Sequence, residues 1–305
     1  MGIGHYIKEI GRGKDGARAL TREQSADLLG QILDDQVSDL EVGAFCLAMR
    51  IKGETPHEMA GFLDAIHARI NPLNHSSTTH PRTTVVIPCY NGARKLPALA
   101  PLLALLLVQA GADVCVHGTA TESGRISSFD VFDQLGYKGN PNPNSSNNNH
   151  PLQLLATETL HIGLKKLLDV RRVVGLRNPA HSLVKLMNPC AGPALLVSSY
   201  THPEYASSMA ETFKLLNASA FLLRGTEGEP VADARRTPQM ELFTGGSSKI
   251  VQVAQAGTLA SMPELPAIDA EATAKYIQAV LNQQLPVPTS IRLQTDHILQ
   301  ALKSL

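Results

Sequence analysis

The sequence predicts an α/β protein in which a small N-terminal helical bundle precedes a larger α/β domain with a mostly parallel sheet flanked by helices. Three observations predict this class: helix-start motifs in the first 70 residues, a strand–helix–strand pattern from residue 83, and helical periodicity again after Ile268. The chain has 305 residues, of which 43% are hydrophobic, so it can bury a sizeable core and form about two domains. We expect a helical domain over residues 1–75, joined by helices from the later part of the chain, and an α/β domain over residues 76–305.

Three capping boxes mark the starts of the predicted bundle helices. They are Thr21-x-x-Gln24, Ser38-x-x-Glu41 and Thr55-x-x-Glu58, the last with Pro56 at the first helical position. Each box precedes apolar residues at helical spacing, such as Leu28, Leu29 and Ile32 after the first box. Short connections between these helices are typical of a small bundle.

The α/β pattern begins with a strand at residues 83–87, a helix at 97–110 and a strand at 113–116, which together form a β-α-β unit. A parallel sheet covered by helices is the natural expectation for such a unit. The later predicted elements are a helix near 164–172, a strand around 194–198, a helix from a capping box at Thr201-x-x-Glu204 to Leu216, a strand at 220–223, and helices after Ile268. The polar segment 138–151 cannot pack a core and is predicted to be a solvated loop or hinge.

Charge and cysteine content bear on the class of protein. The formal net charge of zero argues against a dedicated polyanion binder, yet the segment from Lys165 to Lys185 contains six basic residues and a single acid, Asp169.

The longest apolar run, residues 99–108, is shorter than the roughly 20 residues of a bilayer span, and the N-terminus has no secretory apolar region. We therefore expect a cytoplasmic protein with no membrane partner. The four cysteines lie far apart without a C-x-x-C pair, which disfavours a zinc site and suggests reduced thiols.

The stretch IPCYNGARK, residues 87–95, follows an apolar run and precedes a leucine-rich segment. Strand-to-helix turns seat a phosphate in many α/β proteins, because backbone N–H groups converge there on an anion. Arg94 and Lys95 are predicted at the start of the helix, where cations oppose the helix dipole. Local helix stability therefore does not explain this pair, whereas an anionic partner would.

Residues 20–66 closely resemble the N-terminal helical domain of anthranilate phosphoribosyltransferases and pyrimidine nucleoside phosphorylases. The β-α-β unit ending in Val116-His117-Gly118, and the stretch VRRVVGLR at 170–177 followed by Asn188-Pro189, resemble other parts of the same superfamily. The resemblance implies a helical domain and an α/β domain around a central cleft. It also implies a homodimer built through the helical domains.

The catalytic groups of these transferases are largely missing from this sequence. The family's Gly-Thr-Gly-Gly-Asp turn reads PCYNG at 88–92, with one glycine and a proline that lacks an N–H group. Its Lys-His-Gly-Asn-Arg motif reads VHGTA at 116–120, and its magnesium-binding Asp-Glu pair falls near Pro230-Val231. Phosphoribosyl transfer needs the departing pyrophosphate to be neutralised, so we expect no catalytic residue, no metal and no cofactor.

Four segments together resemble the YbiB branch of this superfamily: IPCYNGARK, KEIGRGKDGAR at 8–18, GLRNPAHSLVKL at 175–186 and LRGTEGE at 223–229. That resemblance implies a transferase-like dimer with a basic surface groove that binds DNA or RNA with little sequence preference, associated in bacteria with the response to DNA damage. The expected anion contacts are Lys8, Arg12, Lys14, Arg18, Asn91, Arg94, Lys95, Arg171, Arg172, Arg177 and Lys185. Because aromatic residues are only 4% of the chain and tryptophan is absent, this binding is predicted to be mostly electrostatic.

Two other functions remain open at this point. One is a glycosyl or phosphoribosyl transferase with an altered substrate and a rearranged anion site. The other is a small-ligand sensor that keeps a cleft without turnover. The lone histidines His117 and His181 have no nucleophile or metal partner in the sequence pattern, and core or turn roles are expected for them.

Overall fold

The computed structural model describes residues 2–13, 15–73, 82–139, 150–257 and 263–305. These residues form two compact units. The helical unit comprises residues 2–72 and Thr157–Pro189, and the α/β unit comprises Leu73–Ala156 and Cys190–Leu305. The second helical segment is thus inserted into the sequence of the α/β unit.

The described residues contain both helices and strands, numbered in chain order. The helices are α1 (Gly4–Ile10), α2 (Arg22–Leu33), α3 (Asp39–Lys52), α4 (Pro56–His67), α5 (Ala100–Gln109), α6 (Ser128–Gln134), α7 (Thr157–Leu160), α8 (Ile162–Val174), α9 (Ala180–Leu183), α10 (Pro203–Leu215), α11 (Ala270–Leu281) and α12 (Thr289–Leu302). The strands are β1 (Thr84–Cys89), β2 (Val114–Gly118), β3 (Leu152–Ala156), β4 (Ala194–Tyr200), β5 (Ala220–Arg224), β6 (Met240–Thr244) and β7 (Ser247–Gln252). Within these residues, no helix combines the length and the apolar character that crossing a bilayer requires.

The helical unit begins its main helices as predicted. The side chains of Thr21, Ser38 and Thr55 each accept a hydrogen bond from the third helical N–H, and the residue at that position bonds back to the cap. The rings of Phe45 and Phe62 meet edge to face in the core at a centroid distance of 6.0 Å. Local caps and apolar spacing therefore account for this unit.

The described residues of the α/β unit form one seven-stranded sheet with the order β3-β2-β1-β4-β5-β6-β7. Strands β1 to β5 are parallel, and β6 and β7 are antiparallel to their neighbours. A mostly parallel sheet flanked by helices is thus confirmed. The strand order reverses between β1 and β4, and in such sheets ligand sites lie at the carboxyl ends of the strands beside this reversal.

Some predicted boundaries were wrong. Strand β1 continues through Cys89, so Pro88 lies inside the strand opposite His117 and not in the turn. The capping box at Thr201 does not form, because His202 precedes Pro203 and is held in an extended conformation. Helix α10 therefore begins at Pro203, with no side-chain cap. The predicted loop at 138–151 lies mostly outside the described residues, which omit 140–149.

Candidate functional site

The turn between β1 and α5 occupies the expected place for a phosphate at the edge of the sheet. Gly92 has a φ of 66°, and a Cβ atom at this position would lie 2.8 Å from the Ile126 carbonyl oxygen. Ala93 and Ile126 exchange backbone hydrogen bonds of 2.8 and 2.9 Å. The turn is therefore fixed against the segment that leads into α6, and its conformation requires glycine at position 92.

Glu229 accepts hydrogen bonds from the first part of this turn. The N–H groups of Asn91 and Gly92 donate to its Oε1 at 2.5 and 2.7 Å, and the Ser128 hydroxyl donates to its Oε2 at 3.3 Å. The Glu229 residue is only 3% exposed. A buried carboxylate therefore sits where converging N–H groups would receive an external anion.

Glu227 accepts hydrogen bonds from the second part of the turn. The N–H groups of Arg94, Lys95 and Leu96 all donate to its Oε2, at 2.8, 2.9 and 3.2 Å. Partial burial raises the pKa of the Glu227 carboxyl, but these backbone hydrogen bonds lower it by more, so the pKa lies below its ordinary value. Glu227 is therefore held as a carboxylate at neutral pH.

The loop after β5 has an unusual backbone conformation that presents these two carboxylates. Glu227 and Gly228 both have positive φ angles, 53° and 92°. The Asn91 side chain donates from Nδ2 to the Glu227 carbonyl oxygen at 3.0 Å, and a Cβ atom on Gly228 would lie 1.7 Å from that Nδ2. The loop and the turn thus fit together only with glycine at position 228.

All six backbone N–H groups of residues 91–96 are already used, five by the two carboxylates and one by Ile126. A magnesium-bound pyrophosphate does not fit this arrangement, because it would have to displace both carboxylates. The position of the family's acidic pair offers no replacement ligand, since Val231 is buried and the Pro230 carbonyl accepts from Gln294 Nε2 at 3.0 Å. No cluster of three or more His, Cys, Asp or Glu suited to a metal ion occurs within the described parts of the chain.

The predicted site residues of the turn have different surroundings. Asn91 is buried, and its side chain contacts the loop after β5. Arg94 and Lys95 are exposed, and the described residues provide neither side chain with an ion pair. Their predicted position at a helix start was wrong, because α5 begins only at Ala100.

Three predicted residues of the helical unit surround His181. The positive charges of Arg177, Arg171 and Lys185 act on this histidine, and together with burial, the largest cause, they lower its pKa to about 4. His181 is therefore neutral at physiological pH. The structure thus brings Arg171, Arg177 and Lys185 into one positive region, which we call the helical basic cluster.

The fourth predicted residue near the end of α8 is partly neutralised. Arg172 Nε lies 3.1 Å from Asp169 Oδ1, and Lys165 pairs with the same carboxylate. Asp169 therefore forms ion pairs with two cations of α8.

The N-terminal candidates gather around one acid. Helix α1 ends at Ile10, so Lys8 and Arg12 do not lie on a common helix. Arg12 pairs with Glu9 at 2.7 Å, and Arg18 lies 3.8 Å from the same carboxylate. Lys8 is exposed, and Lys14 lies outside the described residues.

The prediction from sequence missed Glu227, Glu229 and Ser128. Two acids separated by one residue after a strand were the available signal, but β4 lies between β1 and β5 in the sheet. The contact joins residues more than 130 positions apart in the chain. Only the sheet order reveals that the loop after β5 reaches the turn after β1.

Comparison with known proteins agrees with this architecture. Residues 5–69 match the helical bundle domain of a glycosyl transferase family. The chain is 37% identical over 297 residues to the protein YbiB of Escherichia coli, covering 94% of this chain and 90% of that protein. The chain belongs to the YbiB branch of the anthranilate phosphoribosyltransferase-like superfamily.

Several more distant relatives are enzymes by name. An anthranilate phosphoribosyltransferase of Idiomarina loihiensis is 27% identical over 271 residues, which cover 86% of this chain and 79% of that enzyme. The Saccharomyces cerevisiae anthranilate phosphoribosyltransferase, solved with PRPP and Mg, superposes with a TM-score of 0.73 at 14% identity over 99% of this chain and 89% of that one. The Thermus thermophilus enzyme superposes with a TM-score of 0.70 at 20% identity over 94% and 85%. At these identities the two structures show the shared fold alone, so the turn of this YbiB-branch chain has to be interpreted from its own contacts.

Proposed function

We propose that this protein is a non-catalytic, largely sequence-independent nucleic-acid-binding homodimer that uses a phosphoribosyltransferase-like fold. The observation that carries the proposal is the capture of five turn N–H groups by Glu227 and Glu229. A transferase needs donors of this kind for the leaving pyrophosphate, and losing even one such donor costs on the order of a hundredfold or more in rate. The N–H groups that would bind a phosphate are therefore already satisfied within the protein.

The basic side chains support an extended anionic partner. Arg94 and Lys95 are exposed beside the N–H groups that Glu227 and Glu229 occupy, and the helical basic cluster contains three further, half-buried cations. Side-chain cations spread over a surface suit a phosphate backbone, which offers many equivalent charges and no base information. This distribution favours DNA or RNA over a single small phosphate.

The homodimer is part of the proposal, and an apolar stripe on α3 supports it. Leu40, Leu47 and Ile51 are 83%, 47% and 57% exposed in the single chain. Their spacing places them within about 40° of one another around the helix. A contiguous apolar stripe of this kind is typical of an interface between subunits.

Changing Leu40→Glu and Leu47→Glu together should convert the dimer to a folded monomer. Light scattering coupled to size exclusion would measure the mass, with circular dichroism to check folding. Val253→Glu, at an exposed apolar position of the α/β unit, is the matched control and should keep the dimer mass. A wild-type protein with monomer mass would contradict this part of the proposal.

Binding itself is tested by titrating single- and double-stranded DNA at several salt concentrations. We expect affinity to fall steeply as salt rises, with little dependence on base sequence. No binding even at low ionic strength would overturn the proposal. Magnesium-dependent consumption of phosphoribosyl pyrophosphate with anthranilate would favour the alternative, a transferase with an altered substrate.

The expected setting is the cytoplasm of a bacterium responding to DNA damage. It rests on the resemblance to the YbiB branch and is included in the proposal. Measuring the level of this protein before and after DNA damage would test it, and an unchanged level would remove that part.

A further inference from the structure

A cavity of about 790 Å³ opens in the α/β unit at the carboxyl ends of two parallel strands. Tyr200, the last residue of β4, and Arg224, the last residue of β5, line it together with residues 225–227 and 235–239. Lys95 borders it from the turn. Its volume lies within the range of about 300–1,000 Å³ that is usual for small-molecule sites.

The cavity carries an excess of positive charge. Four cations and two carboxylates line it: Lys95, Arg224, Arg235, Arg236, Glu227 and Asp233. Both carboxylates are already engaged, Glu227 by the turn and Asp233 by the two neighbouring arginines at 2.9 and 3.4 Å. Lys95 and Arg224 are exposed, and within the described residues their side chains form no ion pair. The uncompensated charge therefore lies on these two side chains.

The rest of the cavity lining is suited to contact with a planar ring of a ligand. Tyr200 contributes a partly buried aromatic face, and Pro203 and Pro238 add apolar wall.

We propose that this cavity receives one unpaired nucleotide of a bound single strand, with its base against Tyr200 and its phosphate between Lys95 and Arg224. The inference rests on the proposed nucleic-acid binding and adds a base contact that an intact duplex does not make. Bases of an intact duplex are stacked and paired, so a base enters such a cavity only from a single strand or after flipping out. Stacking on one aromatic face is sequence-tolerant, because every base has a π-face.

The test compares a fluorescent single-stranded oligonucleotide, an abasic strand of the same length and a duplex. Tyr200→Ala should weaken binding of the base-containing strand by about 5- to 50-fold and leave the abasic strand and the duplex within about twofold of wild type. Tyr200→Phe keeps the ring and should bind like wild type. Arg224→Gln changes an exposed side chain and should weaken binding of both single strands while flattening the salt dependence by about one phosphate contact.

The outcomes separate the two proposals. If wild-type protein binds none of the three nucleic acids, the proposed function itself fails. If it binds them but Tyr200→Ala binds the base-containing strand as tightly as wild type does, only the cavity assignment fails. Binding of free adenosine monophosphate that is lost in Tyr200→Ala, with strand affinity unchanged, would assign the cavity to a free nucleotide and overturn its role in strand binding. Circular dichroism and melting temperatures of all three variants show whether a loss of binding reflects unfolding.

Discussion

The turn after β1 and the helical basic cluster both concentrate groups that attract anions, but they satisfy those groups differently. In the turn the attracting groups are backbone N–H groups that point to two small volumes, and one carboxylate fills each volume. In the cluster the attracting groups are the side-chain cations of Arg171, Arg177 and Lys185. Converging backbone donors can be satisfied by two residues from a neighbouring loop, whereas cations on several side chains can contact successive phosphates of an extended partner. Under the proposed function, the difference teaches that a fold can close a small-ligand site internally and still present charge to a polymer.

The largest expected effect comes from removing Glu229, the acceptor for the first part of the turn. Glu229→Ala leaves two buried N–H groups without an acceptor and should destabilise the protein by on the order of 2–4 kcal/mol in urea unfolding. If the turn is a filled anion site, inorganic phosphate should raise the melting temperature of this variant and not that of wild type. Glu204→Gln, an exposed acid on α10, is the control and should change neither quantity. Equal phosphate effects on wild type and Glu229→Ala would contradict the comparison.

A smaller effect is expected from pH, and it separates the two regions. The pKa of His181 is about 4 in the folded state and near 6.5 in the unfolded chain, so the unfolded chain binds a proton that the folded protein rejects. Stability should therefore fall as pH decreases from about 6.5 toward 4, by on the order of 2 kcal/mol at pH 5. The pKa of Glu227 is also lowered, but here backbone hydrogen bonds favour the charged form, so its contribution is lost only at lower pH, as the carboxylate itself is protonated.

Denaturant unfolding at a series of pH values measures this difference. His181→Gln should flatten the slope between about pH 6.5 and 4 and leave the loss at still lower pH unchanged. His67 and His161 also have lowered pKa values, chiefly through burial, so a residual slope is expected. An unchanged slope in His181→Gln would remove the cluster as its cause.

The smallest expected effect concerns the exposed side chains of the turn, Arg94 and Lys95. Changing Arg94 and Lys95 together to Ala should weaken nucleic-acid binding several-fold and equally across sequences, and lower the salt slope by about two phosphate contacts. Stability should hardly change, because the backbone N–H groups of both residues remain bonded to Glu227. Lys275→Ala, which removes a cation already paired with Glu271 on α11, is the control and should leave the slope as in wild type. An unchanged slope in the double variant would exclude this turn from the binding surface.

Local patterns predicted most of the fold. The three capping boxes at Thr21, Ser38 and Thr55 formed because each depends on groups only three residues apart. The β-α-β unit was visible because its strands are fully buried apolar runs. The hairpin of β6 and β7 was not predicted, since β7 is largely exposed and polar and has no apolar alternation. Helix α6 was missed because its cap pairs Ser127 with Asp130 in place of the usual Glu or Gln.

The candidate site was less predictable than the fold. The missing glycines and the missing acidic pair at Pro230-Val231 showed that a pyrophosphate site was altered. The sequence did not show that Glu227 and Glu229 accept the hydrogen bonds that a pyrophosphate would receive. The contact between these residues and the turn depends on strand order and on positive φ angles in the loop. The low aromatic content of the chain likewise concealed Tyr200, whose position at the end of β4 is set by the sheet.

We expect the hydrogen bonds from the turn to the loop after β5 to make this edge of the sheet open as one cooperative unit. Asn91 and Gly92 share one acceptor, and Arg94, Lys95 and Leu96 share another, so no single amide can be exposed without loosening its neighbours. In hydrogen–deuterium exchange these five amides should therefore exchange together, at the rate at which residues 225–231 detach. The turn that an enzyme would keep open for substrate is here closed by hydrogen bonds to the loop after β5. Exchange of the individual amides would measure how often this contact opens.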